Sequence, residues 1–450
     1  MEVVIPASTV AVLAEADVLV CGGGCGGVAA AVSAARHGAS VILIERLPSI
    51  GGLATNGLVN GWHRSDRQKV VINGLVEESA RRAASHGWIV QDRQFPRAHE
   101  THWFDPEGMR IVWQRMLDEA GVRTICGLAV GEPVIDGRSI RGVLCDTKRG
   151  RRAIIARIII DATGDGDVAA KAGAGFDLGR ASDGLVQGMT LIFTLQDVNW
   201  ELVAQGGRQA IEAAMEKMRR LRDEGKLPPF NDGNTGASLL IGHGKFHFPG
   251  RFYWNMCPVS GNPLDEEELT RLSAKAREQI VQYLDFWHRE VRGYEHARID
   301  ETAPVLGVRE SRRIRGLKTL THEMVLGAAR QDDAVGHGVW MVDIHDPKGS
   351  GYTTYSDRSP SNWLKEGTSY HIPLGMALVE GIDNLAVACR AASTTHEALA
   401  SFRVQTHVMA LAQGVGTCAA IAANDKVAMK EVSPARLQEV LRSDGVWLET

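Results

Sequence analysis

The seven cysteines of this chain, at 21, 25, 126, 145, 257, 389 and 418, are odd in number and include no CxxC pair. A disulfide framework or a zinc site is therefore not expected; reduced thiols in a cytoplasmic protein are. An excess of either charge is lacking too. Fifty Lys+Arg against 54 Asp+Glu leave a formal net charge of -4, which calls for neither nucleic acid nor an anionic membrane as partner. No run of about 20 uncharged apolar residues stands out, so no membrane insertion is expected. Residues 1–18 are apolar but have no basic start, and Glu15 and Asp17 interrupt them, which argues against a signal peptide. His99 and His102 do not have the HExxH spacing of zinc proteases, and no metal site is expected. Neither a repeat of fixed period nor a low-complexity segment occurs.

With 450 residues, 44% of them hydrophobic, the chain can bury a large core, and its length suggests two or three domains. Residues 17–21 read as a buried strand. Gly22 to Gly27 follow, then an Ala-rich helix over 28–37 ended by Gly38. Residues 41–44 are a second buried strand closed by Glu45, which completes a βαβ unit. The spacing of Met109, Val112, Trp113 and Met116 predicts a helix over 105–120, with Asp105 as N-cap, Pro106 in the first turn and Gly121 at the end. Strands are predicted at 122–126, 140–145 and 153–160, with Asp136-Gly137 as a hairpin turn before the middle one. Most of 264–297 reads as helix, opened by the acidic turn Asp265 to Glu268. Residues 384–388 are strand-like, 404–423 form a long Ala-rich helix, and the last 25 or so look like a surface helix and tail.

The strongest motif is Gly22-x-Gly24-x-x-Gly27, placed between a buried strand and a helix, with Glu45 at the tip of the next strand. Gly22 permits a tight turn, Gly24 lets backbone approach a pyrophosphate, and Gly27 lets helix and strand pack closely. The helix N-terminus offers free N–H groups and partial positive charge to phosphates. Glu45 can accept from both hydroxyls of a ribose. These features point to a bound dinucleotide.

Four further segments resemble FAD enzymes of the glutathione-reductase-like fold. Arg46 leads to the loop Gly51-Gly52-Leu53-Ala54-Thr55-Asn56-Gly57, and Ile158–Ile160 run into Asp161-Ala162-Thr163-Gly164-Asp165-Gly166-Asp167. Asp383–Arg390 resembles the strand that brings a backbone turn to the ribityl chain, and Gln413-Gly414-Val415-Gly416-Thr417 the helix aimed at the flavin pyrimidine. With Gly307-Val308-Arg309-Glu310-Ser311-Arg312-Arg313 in the middle, the chain resembles an FAD-dependent oxidoreductase family. That family shares a GGG-type N-terminus, a GxRExRR segment and a GQAxGTAA-like C-terminal helix. Two positions depart from its pattern: Cys389 stands where Gly is usual, and Val415 where Ala is.

The resemblance implies FAD as cofactor, contacted by Gly22, Gly24, Cys25, Gly26, Gly27, Glu45, Arg46, Gly51, Gly52, Leu53, Ala54, Asn56, Val130, Ala162, Thr163, Gly164, Asp165, Cys389, Arg390, Gly414, Gly416 and Thr417. It implies an α/β fold: a Rossmann-like FAD-binding domain (parallel sheet with β-meander) assembled from 1–175 and 371–430. An inserted α+β substrate or cap domain would occupy 176–370, and a C-terminal helix and tail 431–450. No second glycine fingerprint links a strand to a helix, since Gly173-x-Gly175, Gly242-x-Gly244 and Gly336-x-Gly338 lack that context. A dedicated NAD(P) domain is therefore not expected, and the arrangement resembles the succinate dehydrogenase/fumarate reductase flavoproteins.

For the substrate, hydride removal needs a carbon held near the flavin and a base for any accompanying proton. His63, His371 and His396 are the candidate bases. Arg309, Arg312, Arg313 and Arg315 read either as a carboxylate clamp or as a surface paired with Glu301, Glu310 and Glu323; on a helix, Arg309, Arg312 and Arg313 would share a face. Arg390 and Arg403 are further candidates, and Trp62 and Trp103 could stack in the site. The expected function is oxidation of a small organic substrate, a carboxylate among the options, with oxygen, a quinone or a protein as electron acceptor. An NAD(P)H-reduced monooxygenase and an FAD-binding structural protein are the alternatives, and homo-oligomerisation is left open.

Overall fold

The computed structural model describes residues 9–92, 101–230, 253–348 and 362–448; His99, Gly242 and Gly244 lie outside them. The chain opens with β1 (Ala11–Cys21), α1 (Cys25–Arg36) and β2 (Val41–Glu45), in which Val18–Cys21 pair in parallel with Val41–Ile44. Strand β1 begins well before the apolar run that predicts it, because its more exposed first half pairs with Arg152–Ala156. Three short strands follow, β3 (Gly61–His63), β4 (Ile89–Asp92) and β5 (Thr101–Phe104), which pair with one another as a separate small sheet. The Pro106–Glu119 helix has Asp105 as N-cap, accepting from the Glu107 N–H, and buries Met109, Val112, Trp113 and Met116.

Then come β6 (Arg123–Cys126), β7 (Val130–Asp136), β8 (Ser139–Thr147) and β9 (Gly150–Asp161). The main sheet has the order β6-β2-β1-β9-β8-β7. Strands β6, β2, β1 and β9 are parallel, and β8 and β7 turn back antiparallel as a meander. Strand β7 is missing from the sequence reading, although its turn at Asp136-Gly137 is there. It is an edge strand broken by register shifts, and it carries Pro133, which only an edge tolerates.

Beyond residue 175 the order is β10 (Phe176–Leu178), β11 (Met189–Gln196), β12 (Tyr253–Val259), β13 (Arg298–Thr302), β14 (Arg312–Ile314), β15 (Ala334–Gly338), β16 (Tyr370–Pro373) and β17 (Leu385–Val387). Strands β12, β11 and β13 form an antiparallel sheet, covered by the Trp200–Asp223 and Glu266–Glu290 helices. Their contact is aromatic: Trp254, Trp287, Phe193, Tyr283, Tyr294 and Phe230 are buried together, with the Trp254 and Trp287 rings 4.9 Å apart. This second core gathers residues 189–308, joined by Leu58. The expected boundary at 370 is thus too late. Ile314, Leu320, Val325, Val335, Val342 and Ile344 already belong to the first core.

Strand β17 returns to the main sheet and pairs in parallel with Ile159–Asp161 of β9, so the sheet is assembled from both ends of the chain. The Gln405–Asp425 helix then lies against α1. Carrying no charge before Asp425, it is long and apolar enough to cross a membrane, contrary to the reading that no such run exists; in the fold its residues 405–423 are buried. The final residues are likewise no detached tail. Leu437, Leu441, Val446 and Leu448 close the first core.

Small residues decide the packing of α1 on the Gln405–Asp425 helix. A Cβ on Gly416 would overlap the carbonyl oxygen of Ala30, and Ser33 Oγ bridges to Gln413 O at 3.0 Å and to Thr417 Oγ1 at 2.7 Å. Gly416→Ala is expected to destabilise by about 1–3 kcal/mol through overpacking, despite the better helix propensity of Ala. Urea denaturation checks this; an unchanged or higher midpoint would show that the two helices can separate at no cost.

Candidate functional site

Three turns converge at the C-terminal end of the parallel strands. At Gly22 the backbone has φ 111°, its N–H donates to Ile44 O at 2.7 Å, and a Cβ would overlap Ala162 O. A Cβ on Gly27 would overlap Gly22 O, and one on Gly26 would overlap Ala388 O. Gly24 differs: a Cβ there would meet nothing nearer than the Gly52 Cα at 3.9 Å. It is also the N-cap of α1, with no side-chain cap and no acidic residue in the first turn. An open, uncapped helix start of this kind is an anion cradle.

The Glu45 carboxylate is buried at this turn. It accepts from the Gly23 N–H at 2.6 Å and the Leu47 N–H at 2.8 Å, one bond per oxygen, so each oxygen keeps a free lone pair. Gly51 N–H donates to Gly23 O at 2.7 Å and fixes the Gly51-Gly52 loop alongside. Leu53 and Ala54 continue that loop as a short 3-10 turn. Arg46 is exposed. Leu128 N–H donates to Glu45 O at 2.8 Å, which brings Val130 to the same end of β2. Asn56 is turned inward instead, accepting from Ser49 Oγ at 2.9 Å.

The Ala162–Gly166 turn is shaped by Asp161, which the sequence reading quotes without giving it a task. Its two oxygens accept from Thr163 N–H (3.1 Å), Thr163 Oγ1 (2.7 Å) and Ala169 N–H (2.9 Å). Burial pushes its carboxyl up to about 6 against those donors. Asp165 accepts from Ser311 Oγ at 2.6 Å and is ion-paired with Arg390. Arg312 binds Asp165 O at 3.1 Å and Asp167 at 2.9 Å. Arg312 and Arg390 therefore hold this turn. The Arg390 Nε is buried without a hydrogen-bond partner among the described residues. Cys389 has no positive φ, so a β-carbon is accommodated where the family pattern has Gly, and burial pushes its thiol up to about 12.

The arginine segment is not helical. Arg312 and Arg313 lie on β14, and residues 309–311 precede it outside any helix or strand. Alternation sends the arginines to separate partners. Arg313 pairs with Glu310 and donates to Gly179 O and Thr394 O; Arg315 pairs with Asp177 at the surface. The Glu310 carboxylate is fully buried. It also takes the Gln187 N–H at 2.9 Å and the His396 Nδ1 at 2.8 Å.

Arg309 reaches across to the second core, donating to Gly188 O at 2.7 Å and Thr190 Oγ1 at 3.1 Å. On the first-core side, Arg403 Nη2 donates to Asp343 O at 2.7 Å, and His345 Nε2 is 3.3 Å from Asp343 Oδ2. Burial and then Arg403 bring Arg309 down to about 9; burial and then Arg309 bring His345 down to about 4. Burial works against the Asp343 carboxylate, but His345, Arg403 and Arg309 outweigh it and hold the pKa low. The side chains of Asp343 and Arg403 stay 25% and 14% exposed, so solvent reaches the cluster. Asp343 and His345 are absent from the sequence reading. Their signal was the alternation Val342-Asp343-Ile344-His345, which puts both polar groups on one side.

Other expectations resolve as follows. His63 stacks on Trp340 (centroids 3.7 Å, 15° between planes), and its carbonyl accepts from Thr406 Oγ1 at the start of the Gln405–Asp425 helix. That helix N-terminus, without a side-chain cap, is the end that meets the seam. Gly414, Gly416 and Thr417 sit well inside the helix, where Gly414 meets Val335, Gly416 meets Ala30 and Thr417 bonds Ser33. His371 is no base: Nε2 meets Arg330 at 2.9 Å, and Nδ1 is taken by Gln331. Trp62 is core, fully buried with its Nε1 on Gln405, and Trp103 packs over Gly61. Among the described residues no group of His, Cys, Asp and Glu could hold a metal ion.

A family model described as FAD dependent oxidoreductase matches residues 17–441. Among solved structures, a flavin-dependent brominase is similar over 95% of this chain and 83% of its own, at 11% identity and TM-score 0.48. A geranylgeranyl bacteriochlorophyll reductase-like protein from Thermoplasma acidophilum covers the same shares, at 11% identity and TM-score 0.44. The anhydrotetracycline hydroxylase OxyS from Streptomyces rimosus matches 41% of this chain at 16% identity and TM-score 0.30, and the match spans only 37% of that hydroxylase. These likenesses differ in reaction and are too distant to choose among them.

Two outcomes follow from the buried carboxylates. Glu310→Gln leaves Arg313 buried without its anion and is expected to destabilise by about 3–5 kcal/mol; a loss under 1 kcal/mol by denaturant titration would count against the pairing. Asp161 has a raised pKa in the fold, so its contribution to stability is full below pH about 4 and lost as pH rises through about 6. Asp161→Asn should flatten the fall in unfolding free energy over that window; an unchanged slope would assign the titration elsewhere.

Proposed function

Because the chain belongs to the FAD dependent oxidoreductase family, we propose that it oxidises a small organic molecule by hydride transfer to FAD, with the substrate at the seam between the two cores. The observation that carries this reading is the cradle at Gly24, open to a ligand and bordered by an uncapped helix start. The amides of Gly24, Cys25, Gly26 and Gly27, with Gly51-Gly52 opposite, suit a pyrophosphate. Glu45 suits a ribose, its free lone pairs matching two hydroxyls. The Ala162–Asp165 and Cys389–Arg390 turns, and the start of the Gln405–Asp425 helix, extend the cradle toward the seam.

FAD, when bound, supplies the hydride acceptor. The protein residues supply position and protons. His396 gives its Nδ1–H to Glu310, which leaves Nε2 to take a proton. His63, stacked on Trp340, ends β3, the strand that follows the loop from the cradle. Both belong to the first-core side, so a substrate lying on Arg309 would be pressed toward them from the second.

Purified protein should show a flavin absorption band that an oxidisable substrate bleaches without oxygen. Gly24→Val should lose flavin at least tenfold by absorbance while keeping the wild-type circular dichroism, because the new side chain fills only the cradle. Normal flavin content in that variant would remove the cofactor from this turn.

A further inference from the structure

We propose that Ser311 and Arg312 are positioning residues for the cofactor, and that through them cofactor loading is linked to docking of the second core on the first. This rests on the redox reading above and adds a regulation of the same site. Residues 306–314 cross from one core to the other in a single run: Leu306 and Val308 pack in the second, Ile314 in the first. Gly307 pairs with Thr190 on β11, its N–H donating to Thr190 O at 2.8 Å, and a Cβ on Gly307 would meet that oxygen at 3.1 Å. Arg309 adds its bonds to Gly188 O and Thr190 Oγ1, and Glu310 takes the Gln187 N–H. The first half of the run is thus fastened to residues 187–190.

The second half holds the two turns that extend the cradle. Ser311 Oγ donates to Asp165 Oδ1 at 2.6 Å, and Arg312 donates to Asp165 O at 3.1 Å and Asp167 Oδ1 at 2.9 Å. Arg313 Nε donates to Thr394 O at 3.1 Å, and the Ile314 N–H to Ala391 O at 2.8 Å, next to Cys389–Arg390. Ile314 also packs on the first turn, since a Cβ on Gly166 would meet its Cγ1 at 2.7 Å. Glu310 joins the halves: one buried carboxylate takes the Gln187 N–H from one side and Arg313 and His396 from the other. So short a run, bonded at both ends, leaves little slack, and the turn at Asp165 cannot shift without pulling on residues 187–190. Such linkage is reciprocal. Whatever free energy the docked second core lends to the cofactor-binding shape of the turn, bound FAD returns to the docked state. Ser311 and Arg312 act through Asp165.

The test is hydrogen exchange, resolved to single amides, on wild-type protein freed of flavin and then reloaded with FAD. FAD should slow the amides of Gln187, Thr190 and Gly307 about tenfold or more, while the Ala303 amide, bonded to Ile192 O inside the second core, changes by less than about twofold. Ser311→Ala should bind FAD about tenfold more weakly by fluorescence titration and lose the added protection at residues 187–190, and Arg312→Gln should do the same. Those three amides unchanged by FAD, or every amide slowed alike, overturns the linkage; this comparison needs only the wild-type protein and stands even where a variant fails to fold. FAD affinity in both variants within about twofold of wild type overturns the positioning role. Flavin-loaded protein without the added protection sinks the linkage alone, whereas wild-type protein that takes up no FAD sinks the redox reading and the linkage together.

Discussion

Main chain meeting main chain, with no side chain between, is the constraint on which the rest of the structure depends. Gly22 abuts Ala162, Gly27 abuts Gly22, and Gly26 abuts Ala388. Three segments far apart in sequence are brought together because each contact lacks a β-carbon. The gap left at Gly24 has meaning only in that setting. An open glycine on a loose loop would be a hinge, whereas an open glycine among three closed contacts is a fixed stretch of bare main chain.

The second organising element is the strip from Arg309 to Arg313. Arg309 grips a strand of the second core, Glu310 gathers Arg313, His396 and Gln187, and Ser311 and Arg312 hold the Asp165 turn. Extended backbone lets neighbouring residues point in opposite directions, so five residues serve both cores. A buried network that ties several segments together restricts their relative motion. The strip therefore couples the position of the second core to the shape of the turn proposed to hold the cofactor.

The first βαβ unit, the Asp105 cap and the acidic start at Asp265 were legible because each is a local signal: an apolar run, a glycine spacing, a capping residue. The same locality explains the misses. Strand β7 carries Pro133 and irregular pairing, and it exists only because β8 is beside it. The shared face of Arg309, Arg312 and Arg313 holds only on a helix, and here their partners lie on distant segments. Gly414 and Gly416 matched a motif whose residues here serve helix contact, while the helix start lies at Gln405. Asp343 and His345 were readable as a period-two pair, yet their importance depends on Arg309 and Arg403, which no spacing rule connects to them.

Strand β17 and the Gln405–Asp425 helix complete a sheet whose other strands all lie before residue 162. A chain emerging from the ribosome consequently carries an unfinished parallel edge on β9, and a bare α1 face, for most of its synthesis. The missing pieces arrive almost last, and one of them is a long uncharged helix. Contacts of such high sequence separation form slowly and leave apolar surface uncovered in the meantime. Any nonsense truncation upstream of residue 385 leaves a product with a strand-shaped vacancy in its central layer, a species suited to aggregation rather than to partial activity.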